Sequence, residues 1–193
     1  MMPIDARAFP FMLEQQPGFV VILMFSLLGW LVLLVSMKAN RHRRYQRQAL
    51  RVLARLPLLA GDGQRLNYLR KINPYVFEEL LLTAFERRGH RIKRNPRYSG
   101  DGGLDGQVWI DGQRYLIQAK RYGRTITPAH VADFGALVRR ERCRGLFVHT
   151  GRTGPKSRAE LTRLPEIELL SGQRLLALLK KDIAFNEESG RPR

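Results

Sequence analysis

An Asp-Gly pair at residues 111–112 constrains the fold of this chain more than any other feature. It separates two β-prone runs, Gln107–Ile110 and Gln113–Ile117, and such a pair between such runs is the strongest short-range signal for a β-hairpin. A two-residue turn fixes the register, so Ile110 is expected opposite Gln113, and every earlier pair follows from that one.

Counting back along the predicted strands places Asp105 opposite Gln118. Directly opposed residues have Cβ atoms roughly 4.5–5.5 Å apart. Lys120 lies two residues beyond Gln118 and therefore projects from the same face of the strand. The hairpin is thus expected to gather a carboxylate, an amide oxygen and an ammonium at one end, which are the groups that a divalent metal and an activated water need.

Composition limits the partners of the chain. With 193 residues it holds one ordinary globular domain and an appendage, and its net charge of +17 indicates a polyanionic partner, either nucleic acid or anionic lipid. Its single cysteine, Cys143, excludes an internal disulfide and a cysteine zinc cluster. The segment Gly151–Ser157 lacks the Gly-Lys pair and the spacing of a phosphate-binding loop, so no nucleotide cofactor is expected.

Successive sequence blocks over about residues 72–181 resemble the PD-(D/E)XK nucleases, and most closely the Mrr-like restriction endonuclease branch, in which glutamine occupies the first position of QxK. The blocks that carry the resemblance are Phe77-Glu78, Arg88–Ile92, Ser99–Gly106, Ile117–Tyr122, Thr150–Arg152 and Ile167–Gly172.

Asp105 is the expected primary metal ligand, with the side-chain oxygen of Gln118 and the backbone carbonyl of Ala119 beside it. Lys120 is expected to orient the attacking water and to stabilise phosphate charge. The resemblance implies that Glu78 reaches the same site from the first helix of the domain. Asp101 is a weaker candidate. A hard, oxygen-bound cation, Mg²⁺ or Mn²⁺, is the implied cofactor. Taken singly, Asp105 is equally typical of a turn and Glu78 is more typical of a solvated helix flank. Gln118 and Lys120 are typical of the solvent face of a strand.

Basic residues near the candidate site are the expected DNA contacts. Arg121, Tyr122 and Arg124 follow Lys120 directly, and Arg152 and Lys156 lie in a loop and at the start of a helix. A second basic cluster, Arg139–Arg144, is either a solvated face or a DNA-tracking surface.

The order of predicted elements over residues 64–185 is α-β-β-β-α-β, an α/β sandwich around a mixed sheet. The nuclease family has the same order. Asn73-Pro74 begins the first helix, which runs to about residue 88, and Thr127-Pro128 begins the second. Residues 186–193 form a polar tail.

Residues 18–37 form an uncharged apolar run, long enough at ~1.5 Å per residue to span about 30 Å of hydrocarbon. A secretory signal peptide is the alternative, but residues 1–17 are slightly acidic and no small-residue cleavage site follows. A retained transmembrane helix is therefore predicted. Residues 38–63 are predicted to be a basic juxtamembrane helix and linker, which either lies on headgroups or continues as a stalk. Because this segment is basic, the positive-inside rule places the N-terminus outside and the nuclease domain in the cytoplasm.

The sequence therefore predicts a membrane-anchored endonuclease that hydrolyses DNA with Mg²⁺ or Mn²⁺, acts in restriction of foreign or modified DNA, and forms a possible homodimer. One alternative is a membrane-tethered module that binds DNA without cutting it, because the neutral Gln118 binds a cation less strongly than a carboxylate. Another is a basic scaffold at the lipid surface.

Overall fold

A computed structural model describes residues 17–95 and 104–180 of the chain. Clustering of contacts separates two compact units, residues 1–44 and 45–193. The first unit contains the beginning of helix α1 (Pro17–Arg55), and its large apolar side chains between Val20 and Met37 are exposed wherever they are described. Among the described residues, this is the one helix long and apolar enough to cross a membrane, and its apolar part is wholly exposed.

The second unit is an α/β domain. After the end of α1 and a short 3-10 helix (Leu56–Leu58), its elements are α2 (Gly61–Lys71), α3 (Pro74–Arg87), β1 (Arg91–Arg94), β2 (Gly106–Ile110), β3 (Gln113–Lys120), α4 (Pro128–Arg140), β4 (Arg144–His149), α5 (Pro155–Thr162), β5 (Ile167–Ser171) and α6 (Gly172–Leu179).

The five strands form one mixed sheet in the order β1-β2-β3-β4-β5. Strand β2 is antiparallel to both of its neighbours, β1 and β3, whereas β3, β4 and β5 are parallel. This arrangement confirms the predicted α/β fold with its mixed sheet. Parallel strands require crossover connections, which α4 and α5 supply.

The Asp-Gly hairpin forms as predicted. Asp111 and Gly112 have φ angles of 50° and 78°, the left-handed values that a two-residue hairpin turn requires. Ile110 pairs with Gln113, as the turn dictates, and Val108 pairs with Tyr115.

Each face of the sheet has its own hydrophobic core. The first core joins the end of α1 with α2, α3 and α6, and includes Phe77, Leu80 and Ile117. The second core lies under α4 and α5, and includes Phe134, Phe147 and Leu164. Alternation along β3 divides its side chains between the two faces, since Leu116 belongs to the second core and Ile117 to the first.

The basic helix that follows the apolar run takes part in the first core. Ala49, Val52 and Leu53 are at most 7% exposed there, so their apolar side is not available to lipid headgroups. Burial of this side leaves the basic side of the same helix exposed.

Helix α2 is an element that the sequence did not predict. Its first turn contains Gly61 and Gly63, and glycine is unfavourable inside helices, so this segment resembles a linker. Tertiary packing stabilises the helix, because Leu69 is fully buried and the guanidinium of Arg65 donates a hydrogen bond to the carbonyl oxygen of Leu56 at 3.2 Å.

Candidate active site

Asp105 lies in a β-bulge at the start of β2. Its amide donates a hydrogen bond to the carbonyl oxygen of Ile117 at 2.9 Å, although Ile117 already pairs with Gly106. Two consecutive residues therefore face one, which is how a bulge redirects a side chain. The predicted opposition of Asp105 to Gln118 is wrong, because the count along the ladder assumed one residue for one.

The bulge places the Asp105 carboxylate against the neighbouring strand. Its Oδ2 accepts a hydrogen bond from the amide of Ala119 at 2.6 Å. Ala119 lies between Gln118 and Lys120, so the carboxylate reaches the QxK segment through its middle residue. Gly106 lets α3 pack closely on β2, since a Cβ at this position would lie 2.7 Å from a methyl group of Leu82 on α3.

Glu78 of α3 shares an electrostatic environment with Asp105 and Lys120. Burial, and next the nearby carboxylates of Asp105 and Glu79, raise the pKa of Glu78 to about 8, whereas the Lys120 ammonium lowers it. Glu78 is thus electrostatically coupled to two other predicted catalytic residues, Asp105 and Lys120. Two neighbouring carboxylates that repel one another are suited to a divalent cation, which would relieve that repulsion.

Glu79, the neighbour of Glu78, has a different role. It is 2% exposed, and one of its oxygens lies 3.0 Å from the guanidinium of Arg94, which also bonds Glu86 at 2.7 Å. This ion-paired cluster joins α3 to the edge strand β1 and so fixes the position of Glu78. Sequence reasoning missed it, since the pairing joins residues of two different elements.

Gln118 is 5% exposed and lies in register with Phe147 of the second core. Its Oε1 is buried and has no hydrogen-bond partner among the described residues. An unsatisfied buried oxygen is costly unless a ligand occupies it, and an amide oxygen is an acceptable ligand for Mg²⁺. The residue fits the predicted cation, although the opposition to Asp105 that predicted its role is absent.

Lys120 ends β3 and lies in register with His149 of β4. Its side chain is half-buried, and its carbonyl oxygen accepts a hydrogen bond from the amide of Thr150 at 3.2 Å. Helix α2 reaches the same strand ends, because the Arg70 guanidinium donates to the carbonyl oxygen of Thr150 at 2.9 Å. The backbone that carries Lys120 is therefore held from two sides.

His149 is a buried residue near the candidate site. It is 0% exposed, and its Nε2 lies 3.0 Å from Oγ1 of Thr153. Burial lowers the pKa of this imidazole to about 4. The side chain is therefore neutral at physiological pH, and its position beside Lys120 is visible only in the register of β3 and β4.

The predicted DNA contacts differ in their availability. Arg121 donates a hydrogen bond to the carbonyl oxygen of Arg70 at 2.7 Å, and the Tyr122 ring stacks on His130 with centroids 5.8 Å apart, so both contribute to the fold. The exposed residues of this set are Arg124, Arg152 and Lys156. A hydrogen bond from the amide of Arg152 to the carbonyl oxygen of Arg124, at 3.3 Å, holds the first two close together.

The basic cluster Arg139–Arg144 lies away from the site. Arg144 begins β4, whereas His149, at the other end of the strand, accompanies Lys120. Arg139 and Arg144 form ion pairs with Glu166 and Glu168 at 3.4 and 3.1 Å. These contacts therefore favour the interpretation of the cluster as a solvated face over that of a surface that tracks DNA.

No group of three or more His, Cys, Asp or Glu side chains within the described ranges is placed to hold a metal. The candidate site has two such carboxylates, and Mg²⁺ often uses only one or two from the protein. Asp101, the weaker candidate, lies outside the described residues.

Comparisons with known proteins agree with this geometry. A family model described as restriction endonuclease (the Mrr catalytic domain) matches residues 69–179. The type IV methyl-directed restriction enzyme EcoKMrr of Escherichia coli (strain K12) is 30% identical over 122 residues, which are 59% of this chain and 40% of that protein. The chain thus spans less than half the length of this curated relative. No solved structure gives a significant match.

Proposed function

The chain belongs to the Mrr-type restriction endonuclease family, and from this premise we propose that it is a metal-dependent endonuclease that hydrolyses the phosphodiester bonds of DNA. The observation that carries the proposal is the hydrogen bond from the amide of Ala119 to Oδ2 of Asp105 at 2.6 Å, which joins the carboxylate to the QxK segment. Both Asp105 and Lys120 also act electrostatically on Glu78, whose pKa is raised.

The proposed ligands of the divalent cation, Mg²⁺ or Mn²⁺, are the carboxylates of Asp105 and Glu78, the carbonyl oxygen of Ala119 and the amide oxygen of Gln118. When bound, the cation supplies Lewis-acid stabilisation of charge on the phosphate and lowers the pKa of water.

The other steps belong to side chains of this protein. Asp105 is held in place by the amide of Ala119 and so presents a fixed carboxylate. The Lys120 ammonium orients the attacking water and offsets the negative charge that grows on the phosphate during the reaction. Arg124, Arg152 and Lys156 are the proposed contacts to the DNA backbone, because they are exposed and basic.

The proposed cellular role is restriction of foreign or modified DNA. EcoKMrr is named as a methyl-directed restriction enzyme, and we extend that role to this chain together with a membrane anchor formed by the apolar half of α1. Basic residues follow the apolar run before any acidic one, which orients the nuclease domain toward the cytoplasm. A homodimer is part of the proposal, since cutting both strands of a duplex takes two active sites.

A plasmid assay with the full-length protein in detergent tests the proposal. Wild-type protein with Mg²⁺ or Mn²⁺ is expected to nick or linearise plasmid DNA, and EDTA is expected to stop the reaction. Asp105→Asn and Lys120→Ala are expected to reduce the rate by at least about 100-fold, on the scale of losing one group that stabilises the transition state. Methylated and unmethylated plasmids distinguish a requirement for base modification.

A second candidate function is a tethered DNA-binding module without catalysis, and the neutral amide of Gln118 is the observation that favours it. This module would bind DNA in EDTA, would leave it intact with either metal, and would bind equally well after Asp105→Asn. Cleavage that survives in Asp105→Asn and in EDTA would contradict both functions as assigned to this site.

A further inference from the structure

The antiparallel part of the sheet has one face that no described helix covers. Helix α3 packs on β1 and β2 from the side of the first core, whereas α4 packs on β4 from the other side. On this second side β1 and β2 lie beyond α4, and their side chains there are exposed or half-buried. We call the side chains of this surface, Arg91, Lys93, Gln107 and Trp109, the open face.

The register aligns these side chains in rows. Arg91 pairs with Trp109 and Lys93 pairs with Gln107, so each pair projects from the same face. Across the hairpin, Gln107 pairs with Leu116, a residue of the second core, which identifies the face. Leu116 itself is buried, so the exposed row runs along β2, from Trp109 through Gln107 toward Asp105, which precedes the strand. The open face therefore leads to the end of β2 that carries the proposed metal ligand.

Charge on the open face is positive and uncompensated. Neither Arg91 nor Lys93 has an ion pair with a described acidic residue, and both are exposed. By contrast Arg94, on the opposite face, is bonded to Glu79 and Glu86. The Arg91 guanidinium lies 4.0 Å from the centroid of the Trp109 ring, a cation–π contact that holds the charge in one orientation.

From this arrangement we infer that the open face is a docking surface for the backbone of a DNA strand that enters the candidate active site. This inference rests on the proposed function and names the part of the domain that binds its substrate. The Arg91 and Lys93 side chains contact phosphates, and Trp109 keeps Arg91 directed outward.

Dimensions support a nucleic-acid strand. From Trp109 to Asp105 is four residues, or about 13 Å at ~3.3 Å per residue. At ~3.4 Å per nucleotide this length corresponds to about four nucleotides of duplex. A membrane surface is the other polyanion that would attract these charges, but alignment with Asp105 is a feature that only a substrate strand uses.

The salt dependence of DNA binding tests the inference. Each phosphate neutralised by a protein side chain contributes about 0.9 to the slope of log K against log salt concentration for duplex DNA. In the full-length, detergent-solubilised protein carrying Asp105→Asn to prevent cutting, Arg91→Ala/Lys93→Ala is expected to reduce the slope by about 1.8. Trp109→Ala is expected to reproduce part of that loss, and Trp109→Phe is expected to retain the aromatic contact and most of the slope.

Lys71→Ala/Arg87→Ala is the matched control. It removes the same charge from exposed positions on α2 and α3, which pack on the other face of the sheet, and it is expected to leave the slope unchanged. Equal slopes for Arg91→Ala/Lys93→Ala and the unsubstituted protein, with folding preserved, would overturn the inference. So would a loss of binding to vesicles of anionic phospholipid without any change in DNA binding.

The two levels of the account fail differently. If wild-type protein cuts plasmid but the open-face variants keep its salt slope, the docking surface is wrong and the proposed function stands. If wild-type protein neither cuts nor binds DNA, the proposed function fails and the docking surface fails with it.

Discussion

Gln118 is the residue that most limits the expected affinity of the candidate site for a cation. Its buried Oε1 has no partner among the described residues, and the side chain is 5% exposed. An amide in this position supplies an oxygen without a charge. With glutamine at this position, the candidate site relies on the carboxylates of Asp105 and Glu78 for electrostatic attraction to the cation.

Gln118→Glu tests that role. A carboxylate at this buried position costs stability in EDTA, where no cation compensates it, so the melting temperature should fall by several degrees. With Mg²⁺ present the same carboxylate becomes a ligand, and half-maximal stabilisation should need on the order of tenfold less metal. Thermal melts across a Mg²⁺ titration measure both effects. Equal destabilisation with and without metal would exclude Gln118 from the metal site.

His149 links the stability of the domain to pH. Burial lowers the pKa of its imidazole from 6.5 to about 4. The unfolded chain therefore takes up a proton on His149 below about pH 6.5, whereas the folded domain takes it up only near pH 4. The stability that neutral His149 provides is fully present above pH 6.5 and is lost as the pH falls through this window.

His149→Gln is expected to flatten the stability profile between pH 6.5 and 4 relative to wild type, because the imidazole that titrates there is removed. Urea unfolding at a series of pH values measures the profile. His90→Gln serves as the control, because it removes a half-buried imidazole that precedes β1 and does not pair with Lys120. An unchanged slope in His149→Gln would show that this group does not carry the effect.

At the scale of elements, the sequence predicts the hairpin well and the bulge not at all. Asp111-Gly112 fixed the turn and the pairs that follow it, because turn geometry is a local property of two residues. The bulge at Asp105 and Gly106 follows from the hydrogen bond between the amide of Asp105 and the carbonyl oxygen of Ile117, which no turn signal in the sequence indicates. The sequence therefore identified Asp105 as a site residue, but the residue of β3 that faces it is Ile117 rather than the predicted Gln118.

Other elements show the same division. Caps at Asn73 and Thr127 mark the helix starts in the sequence, and the structure confirms hydrogen bonds from the amides of Tyr75 and His130 to their side chains. Helix α2 escaped prediction because its glycine-containing start is stabilised by packing rather than by intrinsic propensity. The place of His149 beside Lys120 also depends on how two distant strands pair.

The strand-end loops permit a matched test of packing. A Cβ on Gly151 would lie 2.1 Å from the carbonyl oxygen of Arg124, whereas a Cβ on Gly123 would meet nothing within 4 Å. Gly151→Ala must therefore displace backbone between two proposed DNA contacts, Arg124 and Arg152, at a cost of roughly 1–3 kcal/mol.

Differential scanning calorimetry is expected to show a melting temperature several degrees lower for Gly151→Ala and close to wild type for Gly123→Ala. Equal melting temperatures for the two variants would contradict the close contact. DNA affinity measured at a temperature where both variants are folded then reports whether the spacing of Arg124 and Arg152 matters for binding.

At the scale of the whole molecule, charge and hydrophobicity are segregated along the chain. An uncharged run occupies residues 18–37, while the net charge of +17 belongs to the rest. The exposed apolar side chains of this run have no cover in the first unit. The length of this exposed apolar surface is the one that the proposed membrane anchor needs.

Membrane association follows as a prediction for the full-length protein. After cell lysis it should sediment with membranes, resist extraction by high salt and alkaline carbonate, and dissolve in detergent. Leu27→Lys/Leu31→Lys places two charges within the run and should shift the protein to the salt-extractable or soluble fraction. Extraction of wild-type protein by salt alone would show that its basic surface, rather than a spanning helix, holds it at the membrane.

Binding of Mn²⁺, followed by electron paramagnetic resonance, tests the central claim that Glu78 and Asp105 share a cation. Wild-type protein should bind Mn²⁺ competitively with Mg²⁺, and affinity should rise with pH toward about 8, where metal-free Glu78 ionises. Asp105→Asn should weaken binding at least tenfold or so, on the scale of losing a metal ligand. Glu78→Gln should weaken it and remove the pH dependence. Unchanged binding in both variants, or no binding by wild type, would contradict the account.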